Sequence, residues 1–548
     1  MPRAIYTAHG LRALCWMGLG VLVLAACSSD SSAPARDEAT TLRMGSGGEP
    51  KSLDPQIVTG LIEERLLSSM FEGLVNIDFE TMQPVPGVAE EWYVSLDETV
   101  YVFELRKDAR WSNGDPVTAH DFVYSWRRIL SPGLAAEYAY MLYPIENAEA
   151  FNRGDLTDFS EVGVRALGDR TLEVTLRAPT PYFFALQIHF TFYPVHQATI
   201  EAHGGMLERD THWTRPGNLV SNGPFTLTAW SPNKEIVVSK NPHYWDRDAV
   251  QLETIVFRPI QNPTVEERIF RAGEIDLTYG VPLTKIPTYL RDHPELIRID
   301  PYIATEFIRF NTTRKPFDDP RVRNALALAI DRDTIVSRVL KGGQEPATSF
   351  TPPNTGGYTY HADTAASGPR YAPGEARRLL AEAGYPDGRG FPEVTLLHDT
   401  NDNVRIYCEA VQNMWKKELN IAVQLQTQDG KTWLSNMIAL NYDLARSFWA
   451  ADYPDPSNFL EIFFSNTGNN RTGFNNPAYE DLLRRGAAER KIDERNYFYN
   501  SAESILLSDA PITPVYHQTR AYLVSPNLQG LKSNNLGRIS YKDLSLTP

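Results

Sequence analysis

The chain has 548 residues, of which 42% are hydrophobic and 22% charged, and its formal net charge is −15. This length exceeds what one hydrophobic core organises, so two or three soluble domains are predicted. The negative charge argues against nucleic acid and anionic lipid as partners.

The N-terminus has the pattern of a secretory leader. Two arginines precede an apolar run from Ala13 through Ala26, which is too short to cross a membrane. The sequence Leu24-Ala25-Ala26-Cys27 resembles a bacterial lipobox, in which the cysteine becomes lipidated. We predict a leader at 1–26, lipid on Cys27 and a flexible tether at 27–41. A plain signal peptide is the alternative.

The first half of the mature chain predicts short elements separated by glycines and prolines. A strand enters the Gly-rich turn before Glu49, but no GK[ST] sequence follows, which argues against a phosphate loop. Glu49 is either a cleft residue or a solvated acid. Thr118, with Asp121 three residues later, predicts a capped helix start. Further helices are predicted at 57–71 and 265–272, and strands at 100–105, 170–176, 225–230, 236–240 and 255–259.

The second half predicts a regular alternation of helices and strands. Asp319 and Pro320 form a helix start, and a helix is predicted at 333–341. From residue 373 onward, helices are predicted at 373–383, 403–419, 432–440, 479–490 and 497–508, with strands at 393–397, 421–426 and 442–448. This alternation predicts an α/β domain with a mostly parallel sheet.

Charged and aromatic residues cluster where the strand at 442–448 ends. Arg446, Trp449 and Asp452 lie within seven residues, and Ala450 and Ala451 bring the backbone to the acid. Ligands bind at the carboxyl ends of strands in open α/β sheets. Asp452 suits an ammonium, Arg446 a carboxylate and Trp449 a flat apolar wall, which together suit a peptide. The alternative is a surface turn with an ordinary Arg–Asp pair.

The histidines and cysteines do not form a pattern typical of a metal site or a nucleophile. His189, His196, His203 and His212 are interrupted by prolines and glycines, and no HExxH occurs. Cys408 lies in a helical apolar pattern and is predicted to be a buried thiol. We predict no metal, no cofactor and no enzymatic activity. A secreted hydrolase is a remote alternative, because no GxSxG or comparable motif is found.

Sequence blocks in order along nearly the whole mature chain support a family assignment. They are Ser52-Leu53-Asp54-Pro55, Phe71-Glu72-Gly73-Leu74, Pro86-Gly87-Val88-Ala89-Glu90, Phe103-Glu104-Leu105-Arg106, Ser221-Asn222-Gly223, Gly273-Glu274-Ile275-Asp276 and Tyr453-Pro454-Asp455-Pro456. With these blocks the chain resembles bacterial extracellular solute-binding proteins of the oligopeptide and dipeptide class, the capture components of ABC importers.

The resemblance implies an α/β periplasmic-binding-protein fold with two lobes, mixed sheets, a hinge and an extra domain. Lobe I would comprise 42–61, 197–303 and 517–548, the extra α/β domain 62–196, and lobe II 304–516. A peptide would lie between the lobes like an added β-strand. It also implies a monomer, lipid-anchored on the periplasmic or cell-surface side, that delivers peptides to permease subunits.

Family site residues can be matched one by one. Asp452 matches the acid that holds the peptide ammonium, and Trp449 and Arg446 match pocket residues. Glu49 and Tyr138 match residues that face the cleft from the large lobe and the extra domain. Ala450, between the tryptophan and the acid, completes this predicted set with Arg309.

Five positions depart from the pattern of oligopeptide binders. Arg309 replaces an acid and Leu340 a lysine, while Val404, Gly430 and Met437 replace a histidine, a tryptophan and an arginine. If Arg309 faces the cleft without a partner, acidic peptides should be preferred. The alternative is that Arg309 pairs with a protein acid. A murein peptide, a dipeptide or another small cationic solute is an alternative ligand, and an envelope-structural lipoprotein is an alternative class.

Overall fold

A computed structural model describes residues 40–79, 81, 83–361 and 368–547. The predicted leader, the lipidation site Cys27 and the tether up to residue 39 lie outside these ranges. Thr41, the last residue of the predicted tether, belongs to the first strand and pairs with Thr254. No helix of the described ranges combines the length and apolarity that crossing a bilayer requires.

Strands and helices are distributed over the whole described chain. The strands are β1 (Thr41–Gly45), β2 (Val75–Ile77), β3 (Pro84–Pro86), β4 (Ala89–Val94), β5 (Val100–Leu105), β6 (Val164–Ala166), β7 (Thr171–Thr175), β8 (Phe225–Ser231), β9 (Glu235–Lys240), β10 (Thr254–Arg258), β11 (Ile297–Phe310), β12 (Glu345–Pro346), β13 (Val394–Asp399), β14 (Val423–Gln428), β15 (Leu444–Ala450), β16 (Ile512–Leu523), β17 (Leu528–Gln529) and β18 (Ser545–Leu546). The α-helices are α1 (Leu61–Met70), α2 (Ala119–Leu130), α3 (Ala148–Arg153), α4 (Phe183–Gln187), α5 (Gln197–Ala202), α6 (Pro263–Arg271), α7 (Ile286–Asp292), α8 (Pro320–Leu328), α9 (Arg332–Thr334), α10 (Pro373–Glu382), α11 (Asp402–Leu419), α12 (Gly430–Ile438), α13 (Ser457–Leu460), α14 (Pro477–Ala488) and α15 (Ile492–Asp509).

Local sequence signals account for several of these boundaries. The strand predicted at 100–105 is β5, whose residues alternate between partly exposed and buried. Helix α8 begins at Pro320, as predicted, because the Asp319 side chain accepts the Arg321 N–H at 2.8 Å. The Asp121 carboxylate likewise accepts the Thr118 N–H at 2.7 Å before α2. These local predictions are confirmed.

Two four-stranded sheets occupy the first half of the chain. In one, with the order β1-β10-β9-β8, β1 runs parallel to β10 and the other pairs are antiparallel. The other, with the order β4-β5-β7-β6, is antiparallel throughout. Both contribute to one extended core that includes Leu42, Phe103 and Phe257, each fully buried.

The second half is organised around a six-stranded sheet with the order β12-β16-β11-β15-β13-β14. Only the β13–β14 and β13–β15 pairs are parallel, while β11 is antiparallel to both β15 and β16. The prediction of a mostly parallel sheet is therefore wrong. The helix–strand alternation builds β13, β14 and β15 as a parallel group, and two long antiparallel strands extend it.

One of those long strands, β11, was not predicted. Its sequence contains Pro301, which breaks the apolar alternation, and the structure places an irregularity of the β11–β16 pairing between Pro301 and Thr305. Proline is tolerated in a sheet at such a bulge. The predicted lobe boundaries at 303/304 and 516/517 fall inside this strand pair, and they stay predictions.

Candidate functional site

A cavity of about 1150 Å³ lies beside the six-stranded sheet. Its walls come from the loops after β1 and before α1, from the N-terminal ends of α11 and α12, and from β15 with the turn that follows. The seven predicted ligand-binding residues all line it: Glu49, Tyr138, Arg309, Arg446, Trp449, Ala450 and Asp452.

The Asp452 carboxylate lies where β15 ends and is held by neutral hydrogen-bond donors. The residue is 9% exposed. Its Oδ2 accepts from Asn458 Nδ2 at 3.2 Å, and its backbone N–H donates to Asn458 Oδ1 at 3.1 Å. Within the described chain no lysine or arginine lies at ion-pair distance from this carboxylate. Its negative charge is therefore not neutralised by a fixed cation.

His189 is the second neutral partner of Asp452. Its Nδ1 accepts the Thr191 N–H at 3.3 Å, which assigns the ring proton to Nε2, 3.5 Å from Asp452 Oδ1. Burial lowers the pKa of His189, although the Asp452 charge opposes this effect. The imidazole is therefore neutral at physiological pH and orients the carboxylate without cancelling its charge.

Aromatic rings form the wall around this acid. Trp449 Nε1 donates to Asn458 Oδ1 at 3.1 Å, so the same amide fixes both the indole and the Asp452 backbone. The Tyr138 ring lies 5.4 Å from His189 and stacks on Phe190. Burial raises the pKa of Tyr138 well above its usual range, so its hydroxyl stays protonated.

Arg446 is paired with two protein acids. Its Nη2 donates to Glu306 Oε2 at 2.9 Å, its Nε to the other Glu306 oxygen, and its Nη1 to Asp399 Oδ2 at 3.1 Å. Burial lowers the pKa of Arg446, but the two acids outweigh this effect and hold it above its ordinary value. The two acids balance the charge of Arg446 within the protein. Its predicted role, binding a ligand carboxylate, stays a prediction.

The remaining predicted positions divide between cavity wall and core. Glu49 accepts from Trp230 Nε1 at 2.8 Å and from the Asn233 N–H at 2.9 Å, so it braces the wall. Leu340 packs in the helix-side core and does not line the cavity. The other three departures from the family pattern do line it: Val404, Gly430 and Met437.

The cavity-side edge of β15 is open over its last residues. Strand β13 pairs with β15 only at Leu444 and Ala445. The Ala451 N–H bonds to Ile303 of β11, and alternation along the strand then turns the peptide groups of Phe448 and Ala450 to the opposite edge. No strand of the described chain pairs with that edge beyond Ala445.

Sequence reasoning missed the partners of the site acid. Asn458 follows Asp452 by six residues and gave no signal beyond the proline-rich turn. His189 entered only as a rejected metal ligand, because nothing local connects it with a residue more than 260 positions away. Among the described residues no group of three candidate ligands for a metal ion is present.

Comparison with known proteins gives consistent matches. Residues 83–471 match the model of the bacterial extracellular solute-binding proteins, family 5. The chain is 38% identical to the periplasmic murein peptide-binding protein MppA of Escherichia coli, over 90% of both chains. It is 37% identical to the periplasmic oligopeptide-binding protein OppA of Salmonella typhimurium, over 96% of both.

The similarity extends to solved structures. The structure of the E. coli murein tripeptide binding protein MppA matches with a TM-score of 0.88 and 36% identity, covering 93% of this chain and 99% of that one. An MppA structure in an unliganded open form matches with a TM-score of 0.65. The present conformation is thus closer to the first of these MppA structures than to the open form.

Proposed function

The chain belongs to the bacterial extracellular solute-binding proteins of family 5, which have the two-lobe periplasmic fold, and we propose that it captures peptides outside the cytoplasm for an ABC importer. The family and the α/β two-lobe fold predicted from the sequence blocks are confirmed. The family consists of solute-binding proteins. We propose that the cavity of this chain binds its ligand without catalysing a reaction.

The observation that carries the proposal is the charge of Asp452. A buried carboxylate with only neutral donors faces a cavity large enough for a short peptide. An α-ammonium placed there would complete a charge-assisted contact in a site shielded from water. We propose that Asp452 binds the peptide N-terminus, with the Trp449 and Tyr138 rings beside it.

The open edge of β15 supports binding of an extended chain. A peptide laid along it would hydrogen-bond through its backbone to Phe448 and Ala450, as an added strand. Backbone contacts of this kind do not depend on the peptide's side chains. This supports broad recognition anchored at one end.

The test compares peptides with and without a free ammonium. Calorimetry with Ala-Ala-Ala and its N-acetyl form should give tighter binding of the free peptide by at least about tenfold, as for loss of a charge-assisted contact. Equal affinities would remove Asp452 as the anchor. Native mass spectrometry of protein purified without refolding would identify any ligand carried from the cell.

We also propose that the two lobes close around the ligand by bending at the β11–β16 bulge. Contacts between side chains of distant segments support closure in the present conformation: Asn262 Nδ2 donates to Asp402 at 3.0 Å, and Arg471 lies 3.9 Å from Glu137. Small-angle X-ray scattering should give a smaller radius of gyration with a bound peptide. An unchanged scattering profile under saturating ligand would contradict the hinge.

The anchor and the partners complete the proposal. We propose lipidation of Cys27, a monomeric state, and delivery of ligand to permease subunits from the periplasmic or cell-surface side of a membrane. Cys27→Ser should move the expressed protein from the membrane to the soluble fraction and abolish labelling by radioactive palmitate. Retention of the label on the variant would contradict the lipid assignment.

A murein peptide is a second candidate ligand. The E. coli protein that is 38% identical to this chain is named a murein peptide-binding protein. The five positions that differ from the oligopeptide-binder pattern argue against assuming the same peptide preference here. Competition between murein peptide and Ala-Ala-Ala in calorimetry would rank the two ligands. The ammonium contact with Asp452 is shared by both candidates.

A further inference from the structure

A second buried charge in the cavity wall, a cation, lacks a partner of opposite sign. Arg309 lies on β11, is 2% exposed and lines the cavity. Its Nε donates to Ser447 Oγ at 2.8 Å and its Nη1 to the Asn469 carbonyl at 3.1 Å. Within the described ranges Nη2 has no hydrogen-bond partner, and no carboxylate lies at ion-pair distance from the guanidinium.

Other buried arginines of the chain are satisfied by the fold. Arg128 and Arg495 each bind an aspartate through two nitrogens. Arg332 has no acid but donates to four backbone carbonyls and a threonine hydroxyl. Arg309 has only two acceptors, so the structure leaves this guanidinium with unused donors that point to the cavity.

A second guanidinium lies next to it. Arg471 lines the same cavity, and its Nη2 donates to Asn469 Oδ1 at 3.2 Å, so the two arginines contact one asparagine through its carbonyl and its side chain. The rings of Phe307 and Phe463 lie 5.0 and 5.6 Å from the Arg309 guanidinium. Burial lowers the pKa of Arg309 to about 9, and the Arg471 charge adds to this lowering. An anion bound here would balance the buried charge of Arg309.

A chain of contacts connects this pair with the ammonium site. Arg471 lies 3.9 Å from Glu137, the neighbour of Tyr138. The Tyr138 ring packs against His189, which reaches Asp452. Ser447, which Arg309 contacts, precedes Asp452 by five residues along β15 and the turn after it. An extended peptide anchored at Asp452 advances by about 3.3–3.6 Å per residue, so its side chains come nearer to Arg309 as the peptide follows β15.

We propose that Arg309, with Arg471 beside it, binds an acidic side chain of the peptide, and so gives the protein a preference for acidic peptides. The proposal rests on the peptide-binding function proposed above. A carboxylate at this point can accept two parallel N–H bonds from a guanidinium, which an amide cannot match in charge or geometry.

The test uses tripeptides that differ in one side chain. Calorimetry compares Glu-Ala-Ala, Ala-Glu-Ala and Ala-Ala-Glu with the matched Gln and Lys peptides on the wild-type protein. We expect the Glu peptide to bind at least about tenfold more tightly than its Gln partner at one of these positions, and the Lys peptide most weakly. Equal binding of the Glu, Gln and Lys peptides at all three positions overturns the subsite.

Variants connect the preference with the arginine. Arg309→Met should bring the ratio of Glu to Gln affinities to about one, while the exposed-residue control Arg485→Met should keep the wild-type ratio. An unchanged ratio in a folded Arg309→Met protein would overturn the assignment. If that variant does not fold, the Arg309→Lys ratio decides, because lysine keeps the charge and loses the paired geometry. Failure of every peptide to bind would overturn the peptide function itself.

Discussion

The two ends of strand β15 handle buried charge in opposite ways. At one end Arg446 is enclosed by Glu306 and Asp399, and all its charge is balanced within the protein. At the other end Asp452 has an asparagine and a neutral histidine, and its charge is not balanced. A charge that the fold has balanced indicates a structural role. A charge that only neutral groups hold indicates a place for a charged ligand.

The largest expected effect follows from removing the arginine at the balanced end of β15. Arg446→Leu leaves two acids near each other in a buried site, and we expect a loss of about 3–5 kcal/mol in the free energy of unfolding at neutral pH. Urea unfolding of ligand-free protein, followed by tryptophan fluorescence, measures it. The double variant with Glu306→Gln and Arg446→Met should recover part of the loss. If the single variant is as stable as wild type, the ion pairs of Arg446 contribute little to the free energy of unfolding.

The next effect concerns the unbalanced end and separates binding from stability. Asp452→Asn keeps the shape and removes the charge, so peptide affinity should fall by about 2–5 kcal/mol. The free energy of unfolding without ligand should change by less than about 1 kcal/mol, because no fixed cation loses its partner. Calorimetry and urea unfolding of the same preparation measure both quantities. If Asp452→Asn instead loses much stability and keeps its peptide affinity, Asp452 has a structural role and does not bind the ligand.

A smaller effect concerns a third way of handling charge, by proton uptake. Burial, and then the charge of Asp455, raises the pKa of Glu461 to about 7. The folded protein thus binds a proton that the unfolded chain releases near 4.5. Proton binding by Glu461 therefore stabilises the fold fully below about pH 4.5, and this contribution to the free energy of unfolding is lost as the pH rises through 7. Glu461→Gln should therefore be more stable than wild type at pH 8 by roughly 1–2 kcal/mol, with the difference vanishing toward pH 5.

The control for this pH dependence has the opposite sign. The hydrogen bond from Ser465 and the ion pair with Arg484 outweigh burial and lower the pKa of Glu480. Glu480→Gln should lose stability at pH 8, and the loss should shrink as the pH falls through the acidic range. Thermal unfolding of both variants at several pH values decides. Parallel pH profiles for the two would refute the assignment for Glu461.

Local signals in the sequence predicted the position of the site and not its partners. Apolar alternation followed by prolines located the end of β15, and caps such as Asp319 located helix starts. The partners of Arg446 are 140 and 47 residues away in the chain. No periodicity connects positions so far apart, because tertiary packing alone brings them together. Strand β11 was missed for a related reason, since the bulge that accommodates Pro301 exists only through pairing with β16.

The pairing of β11 with β16 also has a mechanical consequence. Strand β11 has fourteen residues and β16 twelve, and they pair along a two-stranded ribbon. The pairing has a long interruption between Pro301 and Thr305 and a smaller register shift between Glu306 and Phe307. Two separate, unpaired connecting segments would allow the domains that they join to slide and twist relative to each other. A ladder of backbone hydrogen bonds resists sliding along the strands, and its softest point is the interruption. We therefore expect the ribbon to restrict the motion to bending about one axis. The same two surfaces would then meet at every closure.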